Sequence, residues 1–302
     1  MDEYPIQDLS HLLPTAQTLV RLPATERIQH IRADRWIGYP RAIEALSRLE
    51  ILFHWPSKQR MPNLLLMGPT NNGKSMLVEK FRRSHPPISS TEQEHIPVLC
   101  VQMPSAPSVA RFYVALLAAL GAPLRPRQRL PELEQLALSL LRSVGIRILV
   151  IDELHNVLTG NGSNRREFLN LLRFLGNELR IPLVGVGTRE AYLAIRTDSQ
   201  LENRFEPIVL PLWDADEDCC SLLASFAASF PLQRCSHIAT IDMARYLLTR
   251  CEGSIGELVH LLMAAAVAAI ETGDEAINHR TLTVADYAGP SERRRQFERE
   301  LL

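Results

Sequence analysis

Residues 68–75 read Gly68-Pro69-Thr70-Asn71-Asn72-Gly73-Lys74-Ser75, a complete G-x-x-x-x-G-K-S loop. It lies directly between an apolar run, Leu64 to Met67, and a helical pattern carried by Met76, Leu77, Val78, Lys80 and Phe81. A strand, a glycine-rich loop and a helix in this order leave few folds open. The glycines let the backbone curl so that its N–H groups converge on phosphate oxygens, and the helix adds the positive end of its dipole. In that arrangement Lys74 neutralises the β- and γ-phosphates of a nucleotide and Ser75 offers a hydroxyl to Mg²⁺. The expected ligands are therefore ATP and Mg²⁺, held by Gly68 to Met76.

Four more apolar runs follow at Val98–Val101, Ile148–Ile151, Leu183–Val186 and Ile208–Leu210, separated by helical patterns. Strands this uniformly apolar, alternating with helices, predict a three-layer α/β fold whose parallel sheet is covered on both faces. From Asp214 to Ala288 the pattern turns helical throughout, which predicts a C-terminal helical lid. The expected division is a partner-facing N-terminal arm at residues 1–35, an ATPase domain at 36–212, the lid at 213–288 and a tail at 289–302. The tail carries both signs of charge and reads as a solvated helix.

The run Ile148 to Ile151 ends in two adjacent carboxylates, Asp152 and Glu153. Asp152 at a strand end suits Mg²⁺ coordination, and Glu153 suits polarising a water toward the γ-phosphate. A small-molecule kinase has no use for that glutamate, so the pair favours hydrolysis. The run Ile181 to Gly187 ends in Thr188. With the hydrolytic strand expected beside the loop strand, Thr188 is the candidate to touch the γ-phosphate or the attacking water; an ordinary helix N-cap is the alternative. Arg204 is the candidate guanidinium delivered to the γ-phosphate of a neighbouring subunit, with Arg189 and Arg196 behind it. The competing expectation for Arg204 is surface pairing with Glu202 or Glu206.

Composition narrows the partners. With 302 residues, 46% hydrophobic and 22% charged, the chain is neither disordered nor fibrous. Its net charge of -1 means that any nucleic-acid contact must come from a local basic patch. All but Lys58, Lys74 and Lys80 of its basic residues are arginines, which suit forked recognition of phosphates. The five cysteines show no metal-ligand spacing and are expected to be reduced, mostly buried thiols. No apolar run approaches the ~20 residues that cross a bilayer. The N-terminus lacks the pattern of a signal peptide. A cytoplasmic protein without membrane contact is expected.

The order of these parts, loop lysine, Asp-Glu strand, polar strand end, Asn203-Arg204-Phe205 and helical lid, resembles the AAA+ ATPases of the initiator and transposition branch. The segments Arg32 to Ala42, Arg60 to Ser75, Asp152-Glu153-Leu154-His155-Asn156, Arg166-Glu167-Phe168 and Asn177 to Pro182 are similar to the TniB family of bacterial transposition proteins, relatives of TnsC. That resemblance implies an ATP-dependent regulator that assembles as a ring or helical filament on duplex DNA. It also implies recruitment of a DDE-type transposase, usually with a TniQ-like partner, at the bacterial nucleoid. The family's nucleotide residues carry over onto Lys74, Ser75, Asp152, Glu153, Thr188 and Arg204, with Trp36, Ile37 and Tyr39 near the adenine.

DNA contact through backbone phosphates is expected from two basic clusters, Arg125, Arg127 and Arg129, and Arg165 with Arg166; solvated surface arginines are the alternative. One departure from many AAA+ lids is Gly256, which stands where an arginine is expected, with Arg245 or Arg250 as substitutes. Two other functions remain open at this point. One is a replication initiator or helicase loader, although no separate DNA-reading domain is visible after Ala288. The other is a scaffold that binds nucleotide without hydrolysing it.

Overall fold

The computed structural model describes residues 8–89, 94–125 and 127–301. Residues 1–7 of the expected arm and Leu302 of the expected tail lie outside them. The chain divides into two compact units, one formed by Arg41–Pro211 and the other by Met1–Pro40 together with Leu212–Leu302. The second unit begins with α1 (Pro14–Leu19) and α2 (Ala24–Arg32).

The first unit carries the sheet. It runs α3 (Pro40–Phe53), β1 (Asn63–Met67), α4 (Lys74–Ser84), the short antiparallel pair β2 (Ile88–Ser89) and β3 (Glu94–His95), then β4 (Val98–Gln102) and α5 (Val109–Ala119). It continues with α6 (Leu130–Ser143), β5 (Ile148–Asp152), a 3₁₀ segment Leu154–Thr159, α7 (Gly162–Leu179), β6 (Leu183–Gly187), α8 (Arg189–Arg196), α9 (Ser199–Glu202) and β7 (Phe205–Val209). The five long strands form one parallel sheet in the order β4-β5-β6-β1-β7.

This order corrects one expectation. The strand ending in Asp152 is not beside the loop strand: β6 stands between them, with Val184 opposite Leu64 on one side and Val150 on the other. The physical reason lies in β6 itself. All five of its residues are buried, and its glycines admit neighbours that a side chain would exclude. A Cβ on Gly185 would lie 2.5 Å from Leu154 Cδ2 and 2.9 Å from Leu65 Cδ1. By contrast β7 pairs with β1 alone among the described strands, and as an edge strand it tolerates Pro207, which has no N–H to give a ladder.

Leu99, Val101, Leu149 and Ile151 from the strands share one buried cluster with Phe112, Leu116, Leu141, Phe168 and Leu172 from α5, α6 and α7. Phe112 and Phe168 meet edge to face at 5.2 Å between centroids. Burying so many large apolar groups supplies the main driving force for the unit, at about 25 cal/mol per Å² of apolar surface removed from water.

The helical unit is completed by α10 (Glu217–Ser229), α11 (Ile241–Cys251), α12 (Ile255–Glu271), α13 (His279–Val284) and α14 (Pro290–Glu300). Leu258, Leu261, Leu262, Ala265, Ala266 and Ala269 make α12 its buried spine, and α2 packs on it. The described part of the expected arm, residues 8–35, is tied into this unit, and residues 36–39, expected in the ATPase domain, group with it as well. Leu13 N donates to Ala228 O at 2.9 Å. Buried Arg27 donates from Nε and Nη2 to Pro231 O and grips both carboxylate oxygens of Glu275. Helix α14 has no buried residue, as a solvated helix should.

Of the five thiols only Cys219 and Cys251 are buried; Cys100 and Cys220 are half-buried and Cys235 is exposed, so the expectation of mostly buried thiols is corrected. Cys235 lies between α10 and α11, in a segment whose buried positions are taken by Leu232, Ser236 and Ile238 instead. Among the described residues no single helix is long and apolar enough to cross a membrane.

Candidate functional site

The loop forms where β1 ends. Gly73 adopts φ 81° immediately before α4, and Asn71 adopts φ 57°, so the chain reverses through two left-handed positions. A glycine is strictly needed at position 68, where a Cβ would lie 2.6 Å from the carbonyl oxygen of Leu210. Asn72 is buried and its Nδ2 donates to Leu210 O and Pro211 O, each at 2.8 Å. Its side chain therefore ties the loop to the end of β7, a role the sequence pattern alone did not reveal. Pro69, Thr70 and Asn71 are exposed at the tip, and Met76 is exposed in the first turn of α4.

Lys74 opens α4 and is buried. Its ammonium donates to Gly68 O at 2.8 Å and Pro69 O at 2.6 Å, so it lies inside the curl of the loop. Burial holds its pKa below the ordinary lysine value, against the pull of the Asp152 and Glu153 carboxylates. Ser75 Oγ donates to Asp152 Oδ2 at 3.0 Å, and Asp152 Oδ1 accepts the backbone N–H of Glu153 at 2.8 Å. The hydroxyl and the carboxylate are thus adjacent oxygen ligands of the kind Mg²⁺ takes. Among the described residues no group of three His, Cys, Asp or Glu side chains could hold a metal alone. A Mg²⁺ completed by phosphate oxygens and water fits this pair.

Glu153 takes a left-handed backbone, φ 56°, between β5 and the 3₁₀ segment. Its carboxylate lies 3.2 Å from His155 Nε2. His155 Nδ1 is buried with no hydrogen-bond partner among the described residues, and it packs beside Gly187, whose added Cβ would lie 3.4 Å away. His155 stands in the quoted Asp-Glu-Leu-His-Asn motif, yet its contact with Glu153 could not be read from spacing. Thr188 follows β6 and occupies the N-cap position of α8 without capping it by its side chain; its hydroxyl instead donates to Glu190. That bond holds the Glu190 carboxyl below its usual range.

Arg204 lies elsewhere. Asn63 N donates to Arg204 O at 2.8 Å, which pins Arg204 to the edge of the sheet where β1 and β7 begin. Asp152 ends β5, and Lys74 and Thr188 follow the corresponding ends of β1 and β6, opposite to the end at which Arg204 lies. Five residues of strand separate the two edges by roughly 16 Å. Arg204 pairs with neither Glu202 nor Glu206: its Nη1 donates to Asn177 Oδ1 at 2.8 Å. Glu202 instead pairs with Arg196 at 3.3 Å and Glu206 with Arg48 at 3.5 Å. Arg189 is exposed at the start of α8.

Trp36, Ile37 and Tyr39 belong to the helical unit, where Tyr39 meets Trp213 edge-on at 4.9 Å and Trp36 and Ile37 are half-buried. Gly256 is the second residue of α12. Arg250 is engaged with Leu282 O at 2.7 Å and Arg245 with Asp242 at 3.1 Å. Arg125, Arg127 and Arg129 are exposed between α5 and α6. Arg165 and Arg166 lie in the first turns of α7, which Asn161 caps and which begins at Gly162.

The parallel five-stranded sheet with its flanking helices has the fold of AAA+ P-loop ATPases. Over 84% of this chain and 70% of the other, it superposes on the Aeropyrum pernix ORC2 protein, solved as ADPNP–ADP complexes, with TM-score 0.60 at 14% identity. The CDC6P protein of Pyrobaculum aerophilum gives TM-score 0.58 at 16% identity, over 82% and 67% of the two chains. The Aeropyrum pernix ORC1 protein, solved in complex with DNA, gives 0.56 at 17% identity, over 85% and 67%. No curated protein matches the chain. The family described as "Bacterial TniB protein" matches residues 27–215. With most of its length so matched, the chain belongs to the TniB family.

Proposed function

We propose that this protein is an ATP-dependent regulator of DNA transposition that assembles on duplex DNA and hydrolyses ATP at junctions between its own copies. The loop 68–75 holds the triphosphate. Lys74 exchanges its two carbonyl partners for β- and γ-phosphate oxygens, which are stronger acceptors for an ammonium. Ser75 and Asp152 hold Mg²⁺, which when bound neutralises charge that develops on the phosphates. Glu153 orients and polarises the attacking water, and Thr188 touches the γ-phosphate or that water.

The observation that carries this reading is the separation of Arg204 from Lys74. A guanidinium at the starting edge of the sheet cannot reach phosphates held at its finishing edge, so Arg204 serves the nucleotide of a second copy. Hydrolysis then requires assembly, and assembly reports nucleotide. Duplex DNA is gripped through backbone phosphates by Arg125, Arg127, Arg129, Arg165 and Arg166, without base readout. The assembled form presents itself to a DDE-type transposase and a TniQ-like partner, and hydrolysis releases it.

The test combines electron microscopy on duplex DNA with ATPase rates of mixed variants. Wild-type protein should form ordered oligomers only with ATP. Arg204→Ala should lose at least about a thousandfold in rate. Mixing it with Lys74→Ala, which keeps an intact arginine, should restore activity. A protein that stays monomeric with ATP and DNA, or an Arg204→Ala variant that hydrolyses normally, defeats the proposal.

A further inference from the structure

Beside Arg204 lies a cleft of about 480 Å³ whose lining includes Lys58, Arg60, Gln200, Asn203 and Arg204. It opens at the edge of the sheet where β1 and β7 begin. No carboxylate among the described residues lines it. Among the described residues, Lys58, Arg60 and Arg204 form no ion pair within 4.0 Å. Three like charges gathered around one polar hollow repel one another, and an anion relieves that repulsion. The side chains are also partly fixed. The Lys58 ammonium lies 4.8 Å from the centre of the Trp55 ring. Arg204 uses one nitrogen on Asn177, which leaves Nε and Nη2 available for a forked contact. Gln200 and Asn203, on and just after α9, add amide donors. Such a lining suits a compact group with several negative oxygens.

We infer that the cleft receives the terminal phosphates of a nucleotide held by the loop of a second copy, and that Lys58 and Arg60 act on those phosphates together with Arg204. The inference rests on the proposed function and extends it from one arginine to a three-cation receptor. Lys58 and Arg60 precede β1 by a few residues, so the segment that leads into one protomer's own loop strand also serves its neighbour's nucleotide.

The test compares Lys58→Ala/Arg60→Ala with the milder Lys58→Gln/Arg60→Gln and with Arg204→Ala, each checked by thermal melting and for duplex DNA binding. Both double variants should melt like wild type and, in the absence of DNA, where copies stand apart, bind a fluorescent ATP analogue as wild type does, because their own loops are intact. Their DNA-stimulated turnover should fall on the order of tenfold or more. Lys58→Arg/Arg60→Lys should recover most of it. Equimolar mixing of either double variant with Lys74→Ala should restore roughly a quarter of the wild-type rate, the share of junctions with one intact loop and one intact cleft. Turnover within twofold of wild type in both double variants, with Arg204→Ala inactive, overturns the three-cation receptor and leaves the single arginine. Weakened DNA binding with unchanged turnover per bound protein also overturns it, since the cleft then serves the duplex. Normal hydrolysis by Arg204→Ala overturns the underlying reading as well.

Discussion

The hydroxyl of Ser75 donates to the carboxylate of Asp152 at 3.0 Å, across 77 positions of sequence. One oxygen comes from the first turn of a helix and the other from the end of a strand two places away in the sheet, so the pair exists only in the folded chain. Asp152→Asn should keep the fold but bind ATP with little benefit from added Mg²⁺. Titration of nucleotide with magnesium and with EDTA checks this; an undiminished magnesium effect in the variant removes Asp152 from the metal site.

Glu153→Gln keeps the shape of the side chain and removes its capacity to take a proton. Nucleotide affinity should be retained, turnover should fall about a hundredfold or more, and DNA-bound assemblies should persist longer. Phosphate release and dissociation from immobilised duplex measure the two effects. An unchanged rate would take Glu153 out of the chemistry.

Two glycines in the same unit predict opposite outcomes. A methyl at position 68 meets the Leu210 carbonyl at 2.6 Å, whereas one at position 162 meets nothing within 4 Å. Gly68→Ala should cost about 1–3 kcal/mol and weaken nucleotide binding. Gly162→Ala, at the start of α7, should change stability by no more than about 0.5 kcal/mol. Urea denaturation of both separates a steric need at position 68 from a general dislike of alanine.

Much of this was legible in the chain itself. The loop, the Asp-Glu strand end and the alternation of strands with helices are local patterns, and local patterns survive in one dimension. Strand order is not local: nothing within Leu183 to Gly187 announces that it inserts between β5 and β1, because that place is won by burial on both faces. The same limit hid the partner of Arg204. Glu202 and Glu206 are near in sequence, while Asn177 approaches only once α7 has crossed the sheet. Asn72 read as one more loop residue, since its acceptors lie 138 and 139 positions away.

In the helical unit, Arg27→Ala should be strongly destabilising, by about 3–5 kcal/mol, because it strands the Glu275 carboxylate and the Pro231 carbonyl. Arg27 is 3% exposed, so water cannot replace its guanidinium cheaply. Thermal melting checks it; a shift of less than a degree would show that α2 contributes little to this unit.

Thiol chemistry offers a further check on burial. Desolvation pushes Cys219 up to about 12, and Cys100 and Cys251 to about 11. Their stabilising effect is complete below the unfolded thiol value of about 8.5 and declines as pH rises from there toward 11–12, because unfolded thiols ionise first. At pH 8 an alkylating reagent should therefore modify exposed Cys235 first and spare Cys219 and Cys251 until the chain unfolds. Mass spectrometry of timed samples decides the order, and early labelling of Cys219 would contradict it.

The amide of Asn72 grips the two carbonyls at which the polypeptide quits its sheet. A shift of that amide must either drag residues 210 and 211 along or break both bonds at once. The place where the loop turns and the place where the chain leaves β7 are thus one hydrogen-bonded unit, held by a single side chain.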